Sequence, residues 1–321
     1  AIWLIYLIVK ELLGYESRIT GLKDNAQHVT RNRLTVELLP IISALLLAIS
    51  PWHIQFSRGA WEANISLTLT LAGIYFFLRA LEKTWFLTLS SLFFSLTLLT
   101  YQGAKLSTLI IILILVVLYW KKVKVWLNSS KGPLAGTFFV GLLISAPIIV
   151  SMFQEKTGRL EVFSVFSYPR KVGDIIVILE EGKEKIGSVS YYLYHSETLN
   201  FTRGLFGRWF NHFSGRFLFF EGDYQNPRHS PPNQGMLLIS DLVLLISGFL
   251  ALSRLKNSNK LRNFAILWLV LAPLPAVLSR DQVHAVRALN MVIPLTLVSA
   301  LGVIYLIIFL TPVSFPYAQN A

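Results

Sequence analysis

The sequence predicts an all-α, polytopic integral membrane protein with about eight to nine transmembrane helices and one long extracytoplasmic loop carrying an interfacial helix. Three observations lead there. Of 321 residues, 54% are hydrophobic and only 14% charged, with a mean hydropathy of +0.57, a balance unlike that of a water-soluble domain. Apolar runs approach the roughly 20 residues that a helix needs to cross a bilayer. Lysine and arginine, finally, are rich in one alternate set of short connections and sparse in the other.

The runs begin with Ala1 to Leu13, a span already under way at the first residue, so the chain reads as lacking its true N-terminus. Further runs are Leu34–Ser50, Ile65–Leu81, Trp85–Thr100, Leu106–Trp120, Leu134–Phe153, Met236–Leu252, Phe264–Leu278 and Leu289–Leu310. Their length, and the lack of strict alternation, favour helices over barrel strands. They divide the chain into N-terminal spans at 1–153, a long loop at 154–235 and C-terminal spans at 236–321.

Arg18, Lys23, Arg31 and Arg33, then Arg79 and Lys83, then Lys121, Lys122, Lys124 and Lys131, then Arg254, Lys256, Lys260 and Arg262 mark the cytoplasmic side. The opposite set holds only Arg58, Lys105, Arg280 and Arg287, and it faces outward together with the long loop, whose charges count little because long loops translocate regardless of them. The net charge of +12 is thus topological; its dispersal among loops argues against nucleic acid as a partner. Within the long loop, Leu205, Trp209 and Phe213 recur at helical spacing with Phe206 and Phe210 beside them, the pattern of an amphipathic helix lying on a membrane. A turn-rich stretch with Asn226-Pro227 and Pro231-Pro232 follows.

Several chemistries drop out. With no cysteine there is no disulfide, thiolate nucleophile or cysteine-ligated metal, and neither a phosphate-binding glycine loop nor a dinucleotide fingerprint is present. No residue is assigned as a metal ligand. The outward face instead gathers polar residues: Arg58 and Glu62, spaced to pair across one helical turn; Tyr101 and Lys105; Arg228 and His229; and Arg280, Asp281, His284 and Arg287, with His284 and Arg287 sharing a helical face. Taken singly, Lys105 or Arg280 can be a snorkelling cation and His53 an interfacial histidine. Taken together, cations and imidazoles on the face where positive charge is normally scarce call for an anionic partner at headgroup depth, and a phosphate supplies one.

Three stretches, Ala48–Asn64 (AISPWHIQFSRGAWEAN), Phe210–Gly235 (FNHFSGRFLFFEGDYQNPRHSPPNQG) and Trp268–Pro294 (WLVLAPLPAVLSRDQVHAVRALNMVIP), resemble bacterial membrane glycosyltransferases of the GT-C superfamily, relatives of protein O-mannosyltransferases and of the aminoarabinose transferase of lipid A. The resemblance implies transfer of a sugar from a polyprenyl-phosphate carrier, in the membrane lipid, to an extracytoplasmic acceptor. An outward-facing site fits a lipid-linked donor, because nucleotide-sugars stay in the cytosol. In that family an acidic residue activates the acceptor or holds a divalent metal while cations stabilise the departing phosphate. The family's acidic motif lies in the first outer loop, upstream of where this chain begins, so the catalytic carboxylate is expected outside it; Asp174, Glu180 and Asp223 are not put in its place. Glu62 is the candidate second acidic residue, and its alternative role is the pair with Arg58. Arg228, His229, His284, Arg287 and Lys105 are expected around the lipid phosphate, with Arg58, Glu62 and Tyr101 nearer the sugar or acceptor. A flippase for lipid-linked sugars, a ligase moving a whole glycan and a purely structural membrane protein are the rival readings; a flippase should carry ionisable residues in mid-span, and these runs are nearly free of charge.

Overall fold

The computed structural model describes residues 1–20, 26–153, 164–167, 169–255 and 259–310. The side chains of Arg18, Lys23, Arg31, Arg33 and Lys256, and the loop stretch 154–163, lie outside the described residues. What is described is helical: among those residues there is no strand, and Ser164 and Ser279 form an isolated antiparallel bridge.

The helices are α1 (Ile2–Thr20), α2 (Ala26–Ile49), α3 (Pro51–Arg58), α4 (Glu62–Ala80), α5 (Phe86–Thr100), α6 (Ala104–Leu118), α7 (Trp120–Ser129), α8 (Lys131–Phe153), α9 (Val172–Glu181), α10 (Glu197–Asn211), α11 (Ser240–Arg254), α12 (Lys260–Leu271), α13 (Leu274–Val277) and α14 (Val292–Leu310). Local chemistry sets several boundaries. Ser50 is extended and Pro51 follows at the first helical position, where a missing N–H costs nothing, so α2 breaks and α3 leaves at 57°. Ser196 caps α10 through the Leu199 N–H and Asn259 caps α12 through the Arg262 N–H. Asp241 accepts the Leu238 N–H at 3.0 Å at the start of α11.

Helix α14 is the centre of the packing, buried from Val292 to Leu301 and set against α2, α11 and α12. Helix α4 packs on α1 and α5, and α5 in turn on α8. The outward faces remain apolar: Leu109, Leu113 and Val117 on α6, Phe138, Phe139 and Leu143 on α8, and Val243, Ile246 and Phe249 on α11 are all exposed.

Among the described residues, four helical stretches, Glu62–Ala80, Lys131–Ile148, Lys260–Val277 and Leu289–Leu310, are long and apolar enough to cross a membrane, or up to six if each of two bent pairs is one span. The expected count of eight to nine is therefore not supported, because an apolar run does not fix helix length. Leu106–Trp120 bends by 88° between α6 and α7. Trp85–Thr100 and Met236–Leu252 become helices of 15 residues, about 22 Å long and short of a 30 Å hydrocarbon core.

The two ends of the bundle differ in chemistry. At one end Arg79 pairs with Glu11 at 2.9 Å, Lys260 reaches the Leu118 carbonyl at 2.7 Å and Arg254 lies over Tyr305. The other end collects the connections 50–61, 101–103, 211–236 and 279–291. Buried Trp52 ties three of these together: its backbone N–H donates to the Met236 carbonyl, its indole Nε1 to the Ala285 carbonyl, and its ring meets Phe217 edge-on at 5.5 Å.

Helix α10 sits at that end, but not in the expected orientation. Leu205, Trp209 and Phe213 are half-buried, and Trp209 Nε1 donates to the Val270 carbonyl at 2.9 Å, so this face packs on the bundle. Phe206 and Phe210 form the exposed apolar face. Two adjacent stripes were apolar, and the one with an indole donor found a carbonyl partner.

Candidate functional site

Asp223 organises the site. It follows Gly222, whose φ of +67° suits glycine, and whose added Cβ would run into Ser230. The turn buries the carboxylate completely. Its Oδ1 accepts the Asn226 N–H at 3.0 Å, and its Oδ2 accepts the Ala285 N–H at 2.9 Å and His229 Nδ1–H at 3.2 Å. Burial alone would raise its pKa; the bonds from His229, Ala285 and Asn226, together with His284 nearby, outweigh it and hold the carboxyl below its usual range. Asp223 thereby fastens the 223–230 turn to the 281–287 segment.

His229, in a one-turn 3-10 helix (Pro227–His229), is buried with its ring edge-on to Trp61 at 5.1 Å and tilted against His284 at 5.1 Å. Arg228 Nε donates to its Nε2 at 3.3 Å, so its Nδ1–H faces Asp223. Behind lies His212, fully buried: its Nδ1 donates to the Arg208 carbonyl at 2.7 Å and its Nε2 accepts the His284 N–H at 3.2 Å. Burial pushes His212 down to about 4, against the smaller pull of the Arg208 carbonyl and Asp223. Burial, reinforced by the Arg287 charge, pushes His284 down to about 3 in spite of Asp223. Both rings are therefore neutral near pH 7 and act as hydrogen-bonding groups and not as cations.

The positive charge comes from Arg287, 15% exposed, which lies 3.5 Å from Asp281 Oδ2 and is hydrogen-bonded to the Tyr101 hydroxyl. Burial pushes that phenol up to about 12 against the Arg287 guanidinium, with Glu62 close enough to add to the rise. Asp281 also lies 3.8 Å from His284 Nε2.

The structure thus brings together Tyr101, Arg228, His229, His284 and Arg287, with Glu62 exposed beside them. Other expectations change. Arg58 ends α3 and Glu62 opens α4, with Ala60 at a positive φ between them, so the one-turn relation expected of the two is lost. Arg58 is exposed at the rim. Lys105 stands at one end of an apolar cavity of about 530 Å³ that it lines with Phe94, Leu109, Leu115, Trp126 and Leu134. Arg280 lines a smaller, polar cavity of about 270 Å³ with Arg208 and Gln282. Asp174 and Glu180 are exposed on α9, away from these contacts.

Asp223 and His212 are the residues that sequence reasoning passed over. Both lie within the Phe210–Gly235 stretch, but an Asp six residues before a His carries no spacing signal, and the bonds that define its role come from the 281–287 segment. Compared with protein-family models, curated proteins and solved structures, the chain matches none.

Proposed function

We propose that this chain is a GT-C-like membrane glycosyltransferase that moves a sugar from a polyprenyl-phosphate carrier to an acceptor on the extracytoplasmic side of the cell membrane. The observation that carries the reading is the meeting of Glu62, at the start of α4, with Tyr101, Arg228, His229, His284 and Arg287, from three separate connections, at one end of an apolar bundle. Exposed apolar faces on α6, α8 and α11 support a lipid surround. In the reaction, an acceptor oxygen bonds to the anomeric carbon, the bond from that carbon to the phosphate oxygen breaks, and the acceptor proton passes to a base. The carrier phosphate leaves with added negative charge, which Arg287, steadied by Tyr101 and Asp281, neutralises. Glu62, exposed beside Tyr101, orients the acceptor. Along α6 the apolar cavity runs from Lys105 to Val116, about 16 Å, and suits an isoprenoid chain whose phosphate lies toward Tyr101.

Whichever sugar is moved, the carrier released is the same, so polyprenyl phosphate is the probe. The full-length protein in nanodiscs should bind it, and Arg287→Ala should weaken binding at least tenfold and lower transfer on the order of a hundredfold. Unchanged binding in Arg287→Ala refutes the reading. Movement of the lipid-linked sugar across the bilayer without covalent transfer makes the protein a flippase, and transfer of an intact glycan makes it a ligase.

A further inference from the structure

A buried carboxylate and two imidazoles meeting at one point have a use beyond holding two loops together. One ligand atom from each of Asp223, His229 and His284 lies within 4.8 Å of the others. The side chain of Asp223 is 0% exposed, that of His229 5% and that of His284 12%. One edge of the triangle already has the right length: Asp223 Oδ2 and His229 Nδ1 are 3.2 Å apart. Ligands about 2.0 to 2.1 Å from a tetrahedral ion sit about 3.3 Å from one another. The imidazole of His284 then has to close no more than about 1.5 Å, a small rotation of one ring.

The surroundings have the form of a second layer around a metal centre. Asp223 Oδ2 is steadied by the Ala285 N–H and its Oδ1 by the Asn226 N–H. His284 Nδ1 accepts the Arg287 N–H at 3.3 Å, a bond that a cation on Nδ1 replaces, and its Nε2 faces Asp281 Oδ2 at 3.8 Å. A histidine that binds metal through one nitrogen and gives its other N–H to a carboxylate is the usual arrangement of this kind. His212 fixes the backbone of His284 from behind.

We propose that Asp223, His229 and His284 form a three-ligand site for a zinc-class divalent cation, with His212 and Asp281 as positioning residues and the fourth coordination position left for a water or an anionic oxygen. Two nitrogens and one carboxylate oxygen suit zinc; calcium and magnesium favour more numerous, all-oxygen ligands. Ligation through His229 Nδ1 moves its ring proton to Nε2, which ends the bond from Arg228. Arg228 is exposed, so binding of the cation turns this guanidinium outward at little cost. The cation site does not depend on the transfer reaction and is read without it.

The test uses the full-length protein in detergent micelles, stripped with a chelator and titrated with Co²⁺. The expected result is one Co²⁺ per chain with the intense visible bands of tetrahedral coordination, displaced by an equivalent of Zn²⁺. Asp223→Asn and His284→Gln should abolish those bands. Because Asp223 also fastens the loops, the decisive variant is Asp281→Asn, half-buried and outside the ligand set, which should keep the helical circular dichroism and weaken Co²⁺ binding about 10- to 100-fold. A wild-type protein that takes up no Co²⁺, or only weak octahedral-type absorbance, overturns the site, as does an Asp281→Asn protein that binds as tightly as wild type. A protein that binds Co²⁺ as described but no polyprenyl phosphate keeps the cation site and loses the glycosyltransferase reading.

Discussion

Gly222 and Asp223 show how a short turn sets the chemistry at this end of the bundle. A Cβ at Gly222 meets two obstacles at once, a positive φ and the Ser230 hydroxyl that accepts the Asp223 N–H. Gly222→Ala should therefore destabilise the protein by about 1 to 3 kcal/mol and loosen the 281–287 segment, read as a lower melting temperature in micelles and faster amide exchange at Ala285. In the metal-free protein the buried histidines predict a pH dependence. Unfolded, His212 and His284 take up a proton near 6.5; folded, they resist until about 4 and about 3. Above 6.5 neither state binds the proton and stability is full. As pH falls below 6.5 the unfolded chain binds protons that the folded chain refuses, so stability declines until the folded pKa values are reached. Asp223, held below its usual range, adds loss at still lower pH. Melting temperature should drop steadily from pH 7 to 4.5, and His212→Asn, weaker at pH 7, should show a flatter profile; parallel profiles for both proteins would show that His212 is not the titrating group. At this scale the cationic and imidazole residues were legible in the sequence, since charge on the sparse face is unusual wherever it occurs. Asp223 was not, because a carboxylate among turn residues is ordinary until its donors are known.

Between elements, the placement of Arg228 with Arg287 depends on how α11 crosses α14. Read from the sequence alone, an antiparallel pairing of the apolar runs 236–252 and 264–278 puts the two outer pairs on one surface. The adjacency is present, but its cause differs: α11 packs principally on α14, and α12 is turned toward α6, α14 and α1. Glycines make the close crossing possible. A Cβ built on Gly248 would meet the Val298 carbonyl, and one on Gly302 the Leu244 carbonyl, so backbone lies against backbone there. Their spacing in sequence gave no warning, because each is a single glycine in its own apolar run and the match between them exists only across helices. Gly302→Val should push the helices apart and cost about 1 to 3 kcal/mol or more, lowering the melting temperature and shifting the Arg228 end relative to Arg287. A Gly302→Val protein with wild-type stability would mean that the crossing is looser than drawn. Helix α10 carries a similar lesson. Leu205, Trp209 and Phe213 were legible as one face, yet periodicity does not say which of two apolar faces meets protein; the Trp209 bond to Val270 decides it.

For the molecule as a whole, the sequence's alternation of rich and poor connections corresponds to two real ends. Arg79, Lys83, Lys121, Lys122, Lys124 and Arg254 fall at one end, beyond α4, α6 and α11, and the histidine cluster falls at the other. The number of crossings was less legible, because bends at Ser50 and Tyr119 come from local backbone chemistry that a hydropathy window averages away. On the proposed reading, the positive-inside rule would put the Arg79 end in the cytoplasm and the cluster outside. The segment 164–211 goes with the cluster, since Val165 bonds to the Leu278 carbonyl and α10 packs on α13. A chain with no cysteine permits a direct check. Val189→Cys, exposed ahead of α10, should react in intact cells with a membrane-impermeant maleimide, whereas Ser129→Cys, exposed at the end of α7, should react only after the membrane is opened. Both positions lie outside the cluster and on the surface, so neither substitution disturbs packing. Labelling of Ser129→Cys but not Val189→Cys in intact cells would invert the orientation and place the cluster in the cytoplasm, where nucleotide-sugars and not lipid-linked donors would be within its reach. Equal labelling of both would mean that the two ends face the same compartment and that the bundle does not span the membrane.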